Sequence, residues 1–196
     1  MKETEIERVY RDLRIFRIFE GTNEILRMLV SSGMVDLGKK LQAGGVAGFA
    51  MGMFSRAVGS NKPKLSAVAP ELKASAERIE EGVADFNAAA TDLVAAEKKG
   101  LMEKQVHLTR VANCAINLFA MSAVTSRASR AVEKKKPNYE KDLMMANTFT
   151  KKAAAENQNI LRELRNQSLN IDDTSGQIAE HLLENGYDFH PPVNLE

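Results

Sequence analysis

The chain of 196 residues has one cysteine, no tryptophan, almost no net charge at +1, and no apolar run long enough to span a bilayer. A lone Cys114 excludes an internal disulfide framework and fits a reducing compartment. Its neighbours Ala112, Ala115 and Ile116 are apolar, which favours a buried structural thiol over a nucleophile, since reactive thiols need an accessible, electropositive setting. The balanced charge gives no electrostatic footprint for nucleic acid. His107, His181 and His190 stand far apart without partnered cysteines or carboxylates, so no metal site is expected. No glycine-rich dinucleotide fingerprint, P-loop, nucleophile elbow or solenoid repeat occurs. No secretory signal or transit peptide is visible, which carries no weight in a piece of a longer protein.

What is present centres on Arg11 to Arg27, RDLRIFRIFEGTNEILR. The apolar approach Ile15, Phe16, Ile18 and Phe19 runs directly into Glu20. A carboxylate in such a setting is poorly solvated, which raises its pKa towards the range of a general base. Gly21 permits a sharp turn, and Thr22 is a good N-cap for a helix carrying Asn23, Glu24, Ile25, Leu26, Met28 and Leu29. The first N–H groups of that helix, with the positive end of its dipole, would favour an anionic ligand beside Glu20. On the residues alone Glu20 is either a catalytic base or an ordinary loop glutamate before a capped helix.

The same run resembles the signature near the end of the acyl-CoA dehydrogenase catalytic core, in which R-D-x-R/K-I, Y/F-E-G-T, an acidic or amide residue, I and a later R recur in this order. The helix-rich remainder, above all LTRVANCAINLFAMSAVTSRASR, resembles the extra C-terminal domain of the very-long-chain branch and of its relative linked to respiratory complex I assembly. That resemblance implies α,β-dehydrogenation of a long-chain acyl-CoA thioester, with Glu20 taking the α proton while a β hydride passes to flavin. It also implies that the Glu20 backbone N–H bonds the thioester carbonyl as charge develops, that Gly21 touches the acyl-CoA, and that Thr22, Asn23 and Glu24 contact FAD. Electron-transfer flavoprotein as acceptor, a homodimer and a mitochondrial location on the matrix side of the inner membrane are implied in the same way. Family members carry an N-terminal helical domain and a middle β domain before this signature. The chain is therefore expected to be a C-terminal piece that does not turn over substrate alone.

Along the chain, Ile6, Val9, Tyr10 and Leu13 fall at helical spacing, and Arg11, Asp12 and Arg14 resemble the family's lead-in or form a solvated ion-pair face. The helix from Asn23 is expected to reach Lys39 or Lys40. Residues 41–64 then carry Gly44, Gly45, Gly48, Gly52 and Gly59, each costing a helix about 1 kcal/mol against alanine. Val46, Phe49, Met53 and Phe54 nonetheless share a face, flanked by Lys39, Lys40, Arg56, Lys62 and Lys64. This segment is either an interfacial amphipathic element on anionic lipid, as the resemblance also implies, or a flexible linker, or packing on the bundle.

The rest predicts a helical bundle. After Pro70, the residues Leu72, Ala76, Ile79, Val83, Phe86, Ala90 and Leu93 form a seam with steps of four and three. Gly100 is expected to stop that helix and Leu101 to open a second one, whose run from Val111 to Val124 is apolar nearly all round and thus the central rod. Asn113 and Asn117 within it need partners if buried. The cations from Arg127 to Lys136 suit a helix C-terminus, with an acidic partner as the rival reading. Pro137 breaks the chain before a third helix from Tyr139 to about Leu169, with Leu143, Ala146, Thr150, Ala153, Ile160 and Leu164 facing the core. Thr174 and Gln177 suggest a capping box for a short helix ended by Gly186.

The expected fold is all-α: residues 1–40 as the end of the dehydrogenase core, 41–66 as a Gly-rich linker or membrane-associating segment, and 67–196 as an extra helical bundle domain. Two functions stay open. One is a flavoenzyme of long-chain acyl-CoA oxidation, whose tail stabilises the dimer and meets the inner membrane. The other is an interaction module that serves complex I assembly factors.

Overall fold

The computed structural model describes residues 3–42, 65, 68–166 and 172–186, and all regular structure among them is helical. In chain order these are α1 (Ile6–Ile15), α2 (Asn23–Gln42), a 3-10 turn at Pro70–Leu72, α3 (Lys73–Glu97), a 3-10 stretch at Lys98–Glu103, α4 (Gln105–Glu133), α5 (Tyr139–Arg165) and α6 (Asp172–Asn185). The chain forms two compact units, Met1–Arg165 and Asn166–Glu196.

In the first unit α4 packs against α2, α3 and α5, and α3 also packs against α5. The core descends α4 in layers. Leu72 meets Ala128 and Ala146, Ile79 meets Leu118, Met121 and Ala153, Ala89 meets Cys114 and Leu161, and Leu93 with Leu101 meets Leu108 and Val111. As α3 advances from 72 to 93 its contacts on α4 retreat from 128 to 108, so α3 and α4 are antiparallel. By the same test α5 runs with α3. Met28 of α2 closes the last layer against Leu93, Leu101, Leu108 and Val111. Leu72 and Leu108 are wholly buried, and each such side chain contributes about 2 kcal/mol by leaving water.

The expected seam of α3 faces this core. Leu72, Ala76, Ile79 and Leu93 are buried, and Val83, Phe86 and Ala90 half-buried. At Gly82 the two helices approach so closely that a Cβ would lie 2.9 Å from Leu118 Cδ2. The expected positions of α5 also face inward, joined by buried Asn157 and Leu161, which continue the same stripe. Buried Ser75 is paired at this depth: its Oγ bonds Asn147 Oδ1 at 2.7 Å and Thr150 Oγ1 at 2.8 Å.

Four local expectations need correction. The second bundle helix begins at Gln105, because the chain first takes a 3-10 stretch that tucks Leu101 into the core. Its apolar midsection is not buried all round: Ile116 and Phe119 point outward, since α2, α3 and α5 cover only the other faces. The third helix ends at Arg165, where Arg165 Nη2 donates to the Asp85 carbonyl at 3.1 Å. The last helix starts at Asp172, which places Thr174 inside its first turn rather than at its cap. Gly186 follows that helix at φ 77, the left-handed conformation that lets a glycine terminate it.

Candidate functional site

The Glu20 segment is built as two tight reversals between α1 and α2. After α1, Ile18 N–H donates to the Ile15 carbonyl at 2.9 Å and Phe19 N–H to the same oxygen at 3.1 Å. The rings of Phe16 and Phe19 lie 5.3 Å apart. Glu20 then takes φ 57 and Gly21 φ 110, which reverses the chain. Asn23 N–H closes the loop onto the Arg17 carbonyl at 3.1 Å. Thr22 caps α2 as its residue type suggests: its Oγ1 accepts from Ile25 N–H at 3.4 Å, and its carbonyl accepts from Leu26 N–H at 2.9 Å.

A left-handed Glu is uncommon and costs about 1–2 kcal/mol. Glu5, Lys135 and Asn138 share the conformation among the described residues, so φ alone does not single out Glu20. Its combination with Gly21 and a capped helix does. The pair reverses the chain and leaves Glu20 exposed between the two helices.

Two expectations about this segment are not met. Glu20 is exposed, because Ile15, Phe16, Ile18 and Phe19 are exposed themselves and strip no water from it. The α2 N-terminus also offers fewer donors than expected, since Asn23 N–H serves Arg17 and Ile25 N–H serves Thr22. Thr22 and Glu24 are exposed, while Gly21 and Asn23 are half-buried. Val46, Phe49, Met53 and Phe54 lie outside the described residues.

Sequence reasoning missed what holds this helix in place. Arg27 Nε donates to Asn113 Oδ1 of α4 at 2.7 Å, and Arg27 Nη1 donates to the Asn23 carbonyl at 3.1 Å. One turn later the wholly buried Ser31 donates to the Leu108 carbonyl. The unmet amide of Asn113 was the available signal, and the arginine closing the motif was its partner.

Elsewhere, a cleft of about 40 Å³ between α3 and α5 is lined by Arg78, Glu81, Asp85, Asn157 and Gln158 over the Leu118 side chain. It has room for a few waters beside the buried Arg78 Nη1. Among the described residues no group of three or more His, Cys, Asp or Glu side chains is placed to hold a metal ion. No described helix is long and apolar enough to cross a membrane.

Residues 70–187 match the family described as ACAD9/ACADV, C-terminal domain. The chain belongs to this family. Residues 1–35, with the Glu20 turn and Arg27, match a second description, Acyl-CoA dehydrogenase, C-terminal domain. The chain is similar to the very long-chain specific acyl-CoA dehydrogenase, mitochondrial, of Homo sapiens, at 38% identity over 79% of this chain and 26% of that protein. It is similar to the protein of the same name from Rattus norvegicus at 34% identity, over 95% of this chain and 31% of that one. The ACAD9/ACADV chain described here thus spans between a quarter and a third of the length of these relatives. Its fold matches the crystal structure of an acyl-CoA dehydrogenase complexed with FAD from Bacillus anthracis, with TM-score 0.65 and 24% identity over 84% of this chain and 27% of that chain. The stretches 1–35 and 70–187 thus match two different descriptions, and α2 packs against α4.

Proposed function

We propose that the chain is the C-terminal part of an FAD-dependent acyl-CoA dehydrogenase for long and very long acyl chains, in which Glu20 removes the α proton. The observation that carries this is the Glu20–Gly21 reversal, φ 57 then φ 110, ahead of a Thr22-capped helix within the stretch matching the dehydrogenase family. An exposed carboxylate on a short, hydrogen-bonded loop can reach a substrate without moving its helix. The peptide N–H beside it supplies a donor for the thioester oxygen as negative charge develops there.

Exposed Thr22 and Glu24 and half-buried Asn23, at the positive end of α2, fit the polar edge of a flavin. They would hold only part of it, and the remaining contacts would come from the rest of the dehydrogenase. When bound, the flavin accepts the hydride. Glu20 holds the proton, Gly21 leaves space for the acyl-CoA because it has no side chain, and the Thr22 cap fixes the start of α2.

The same proposal divides the chain into residues 1–40 as the end of the core, 41–66 as a connecting segment and 67–196 as the added domain. By their helical spacing in the sequence, Val46, Phe49, Met53 and Phe54 would share an apolar face suited to a bilayer surface. A homodimer, electron-transfer flavoprotein as acceptor, and a place on the matrix side of the inner mitochondrial membrane complete the assignment; of these, the mitochondrial location is supported by relatives named as mitochondrial. Service to complex I assembly factors is the alternative, resting on the resemblance of the LTRVANCAINLFAMSAVTSRASR stretch.

The test is palmitoyl-CoA oxidation by the complete flavin-loaded dehydrogenase with Glu20 intact and as Glu20→Gln. Loss of the base should lower kcat by about 10²–10⁴-fold with flavin content unchanged. Equal turnover by the two proteins would remove the assignment.

A further inference from the structure

We infer that Asn113, on the added bundle, is a positioning residue for the Glu20 turn and acts through Arg27; the inference rests on the reading of Glu20 as the base. Among the described residues, what ties Glu20 to the bundle is α2. No residue of α1 is buried, and residues 16–20 are all exposed, so neither α1 nor the loop pins the turn to the core. What is pinned is α2. Met28 packs between Leu93, Leu101, Leu108 and Val111, Ser31 bonds the Leu108 carbonyl, and Arg27 reaches across to Asn113.

Of these contacts, the Arg27 one leads to the site. The guanidinium is a rigid fork. Its Nε is held by Asn113 Oδ1 at 2.7 Å while its Nη1 holds the Asn23 carbonyl at 3.1 Å. Asn23 N–H in turn holds the Arg17 carbonyl at 3.1 Å. The linkage Asn113, Arg27, Asn23, Arg17 brackets residues 18–22, and every member is a hydrogen bond of ordinary length. A charged donor makes the Asn113 bond the strongest class of neutral-acceptor contact, and half-burial of both groups limits competition from water.

The bond also joins two regions matched by different families: Arg27 lies in the dehydrogenase stretch 1–35 and Asn113 in the ACAD9/ACADV stretch 70–187. Met28 and Ser31 also tie α2 to that domain, but Arg27 is the contact whose second hydrogen bond, to the Asn23 carbonyl, continues towards the base. A displacement of about 1 Å at a reacting group can cost up to 10²-fold in rate, so a clamp on Asn23 bears directly on the Glu20 carboxylate. Asn113 touches neither substrate nor flavin in this role.

Two measurements test it. Amide hydrogen exchange on the 196-residue chain needs no flavin. There Asn113→Leu should speed exchange at residues 23–27 by tenfold or more while leaving α3 and α5 protected, and Asn113→Asp, which keeps the acceptor, should restore the protection. Arg27→Lys keeps the charge but loses the fork, and should reproduce the local loosening should Asn113→Leu fail to fold. In the complete flavin-loaded enzyme Asn113→Leu should lower kcat by about tenfold with less than a twofold change in KM, and Asn113→Asp should recover it. Unchanged exchange at 23–27 in the folded variants overturns the inference. So does local loosening with kcat intact in an enzyme that Glu20→Gln inactivates. If Glu20→Gln leaves turnover intact, the base assignment is what fails, and with it the link from Asn113 to catalysis.

Discussion

Asn117 Nδ2 donates to Asn157 Oδ1 at 2.9 Å, and Asn157 Nδ2 donates to the Cys114 carbonyl at 3.3 Å, so Asn157 of α5 both accepts from an α4 side chain and donates to the α4 backbone. Asn157 is 3% exposed. Replacing it alone by Leu strands the Asn117 amide and should cost about 1–3 kcal/mol, whereas replacing both by Leu removes the polar demand altogether and should be close to neutral. Urea denaturation of the two single variants and the double variant measures this. The two amides are not coupled if the double variant loses the sum of the singles.

That pair also shows how far the sequence could be read. The spacing of Ala146, Thr150 and Ala153 predicted the inward stripe of α5, and the next step of the stripe falls on Asn157, which residue type argued against burying. Hydrophobic periodicity finds helices and the apolar members of a face, but not which polar residue has a partner waiting on another helix. Phe119 failed in the opposite direction. An all-apolar stretch predicts burial on every side, yet among the described residues α2, α3 and α5 pack on α4 and leave Phe119 exposed. The turn at Glu20 was legible because Gly21 and Thr22 act locally. Its solvation was not, because desolvation depends on which other groups pack around Ile15, Phe16, Ile18 and Phe19.

Cys114 should behave as an inert, pH-sensitive core group. It has no exposed surface, and burial, with a smaller effect from Glu156, pushes its thiol from 9.0 up to about 12. The unfolded chain loses this proton near pH 9 while the folded chain keeps it to about pH 12. The unfolded state therefore binds fewer protons across that window, and the Cys114 contribution to stability falls as pH rises, by up to about tenfold in the unfolding constant per pH unit. Stability curves of the wild type and Cys114→Ala should converge between pH 9 and 12 if the wild type starts higher. Parallel curves would contradict the shift. Thiol reagents at pH 8 should label Cys114 only in denaturant.

The uneven coverage of α4 predicts a sharp contrast between two of its apolar residues. Leu108 is wholly buried and meets Leu93, Leu101 and Val111, so Leu108→Ala should cost about 2–5 kcal/mol. Phe119 is 77% exposed, and Phe119→Ala should stay within about 0.5 kcal/mol of the wild type. Thermal melts decide it. A loss at Phe119 comparable to that at Leu108 would mean that another surface covers Phe119 in solution.

The reversal before α2 should be sensitive to its backbone as well as to its acid. Gly21 sits at φ 110, where a Cβ is strained whatever the space, and the added atom would also meet Leu26 Cδ2 at 3.4 Å. Gly21→Ala should therefore cost about 1 kcal/mol or more locally, while Thr22→Ala, which removes only a long cap bond, should cost about 0.5–1 kcal/mol. Since α1 buries nothing, most of that loss should appear as opening of residues 18–26 rather than as a lower melting point of the bundle. Amide exchange resolved along the chain separates the two. Protection of the Asn23 N–H to Arg17 carbonyl bond is the local reporter, because that bond exists only while Glu20 and Gly21 hold their positive φ. If Gly21→Ala leaves Asn23 as protected as in the wild type, the loop is not held by the glycine, and the carboxylate at its tip is placed by something other than this turn.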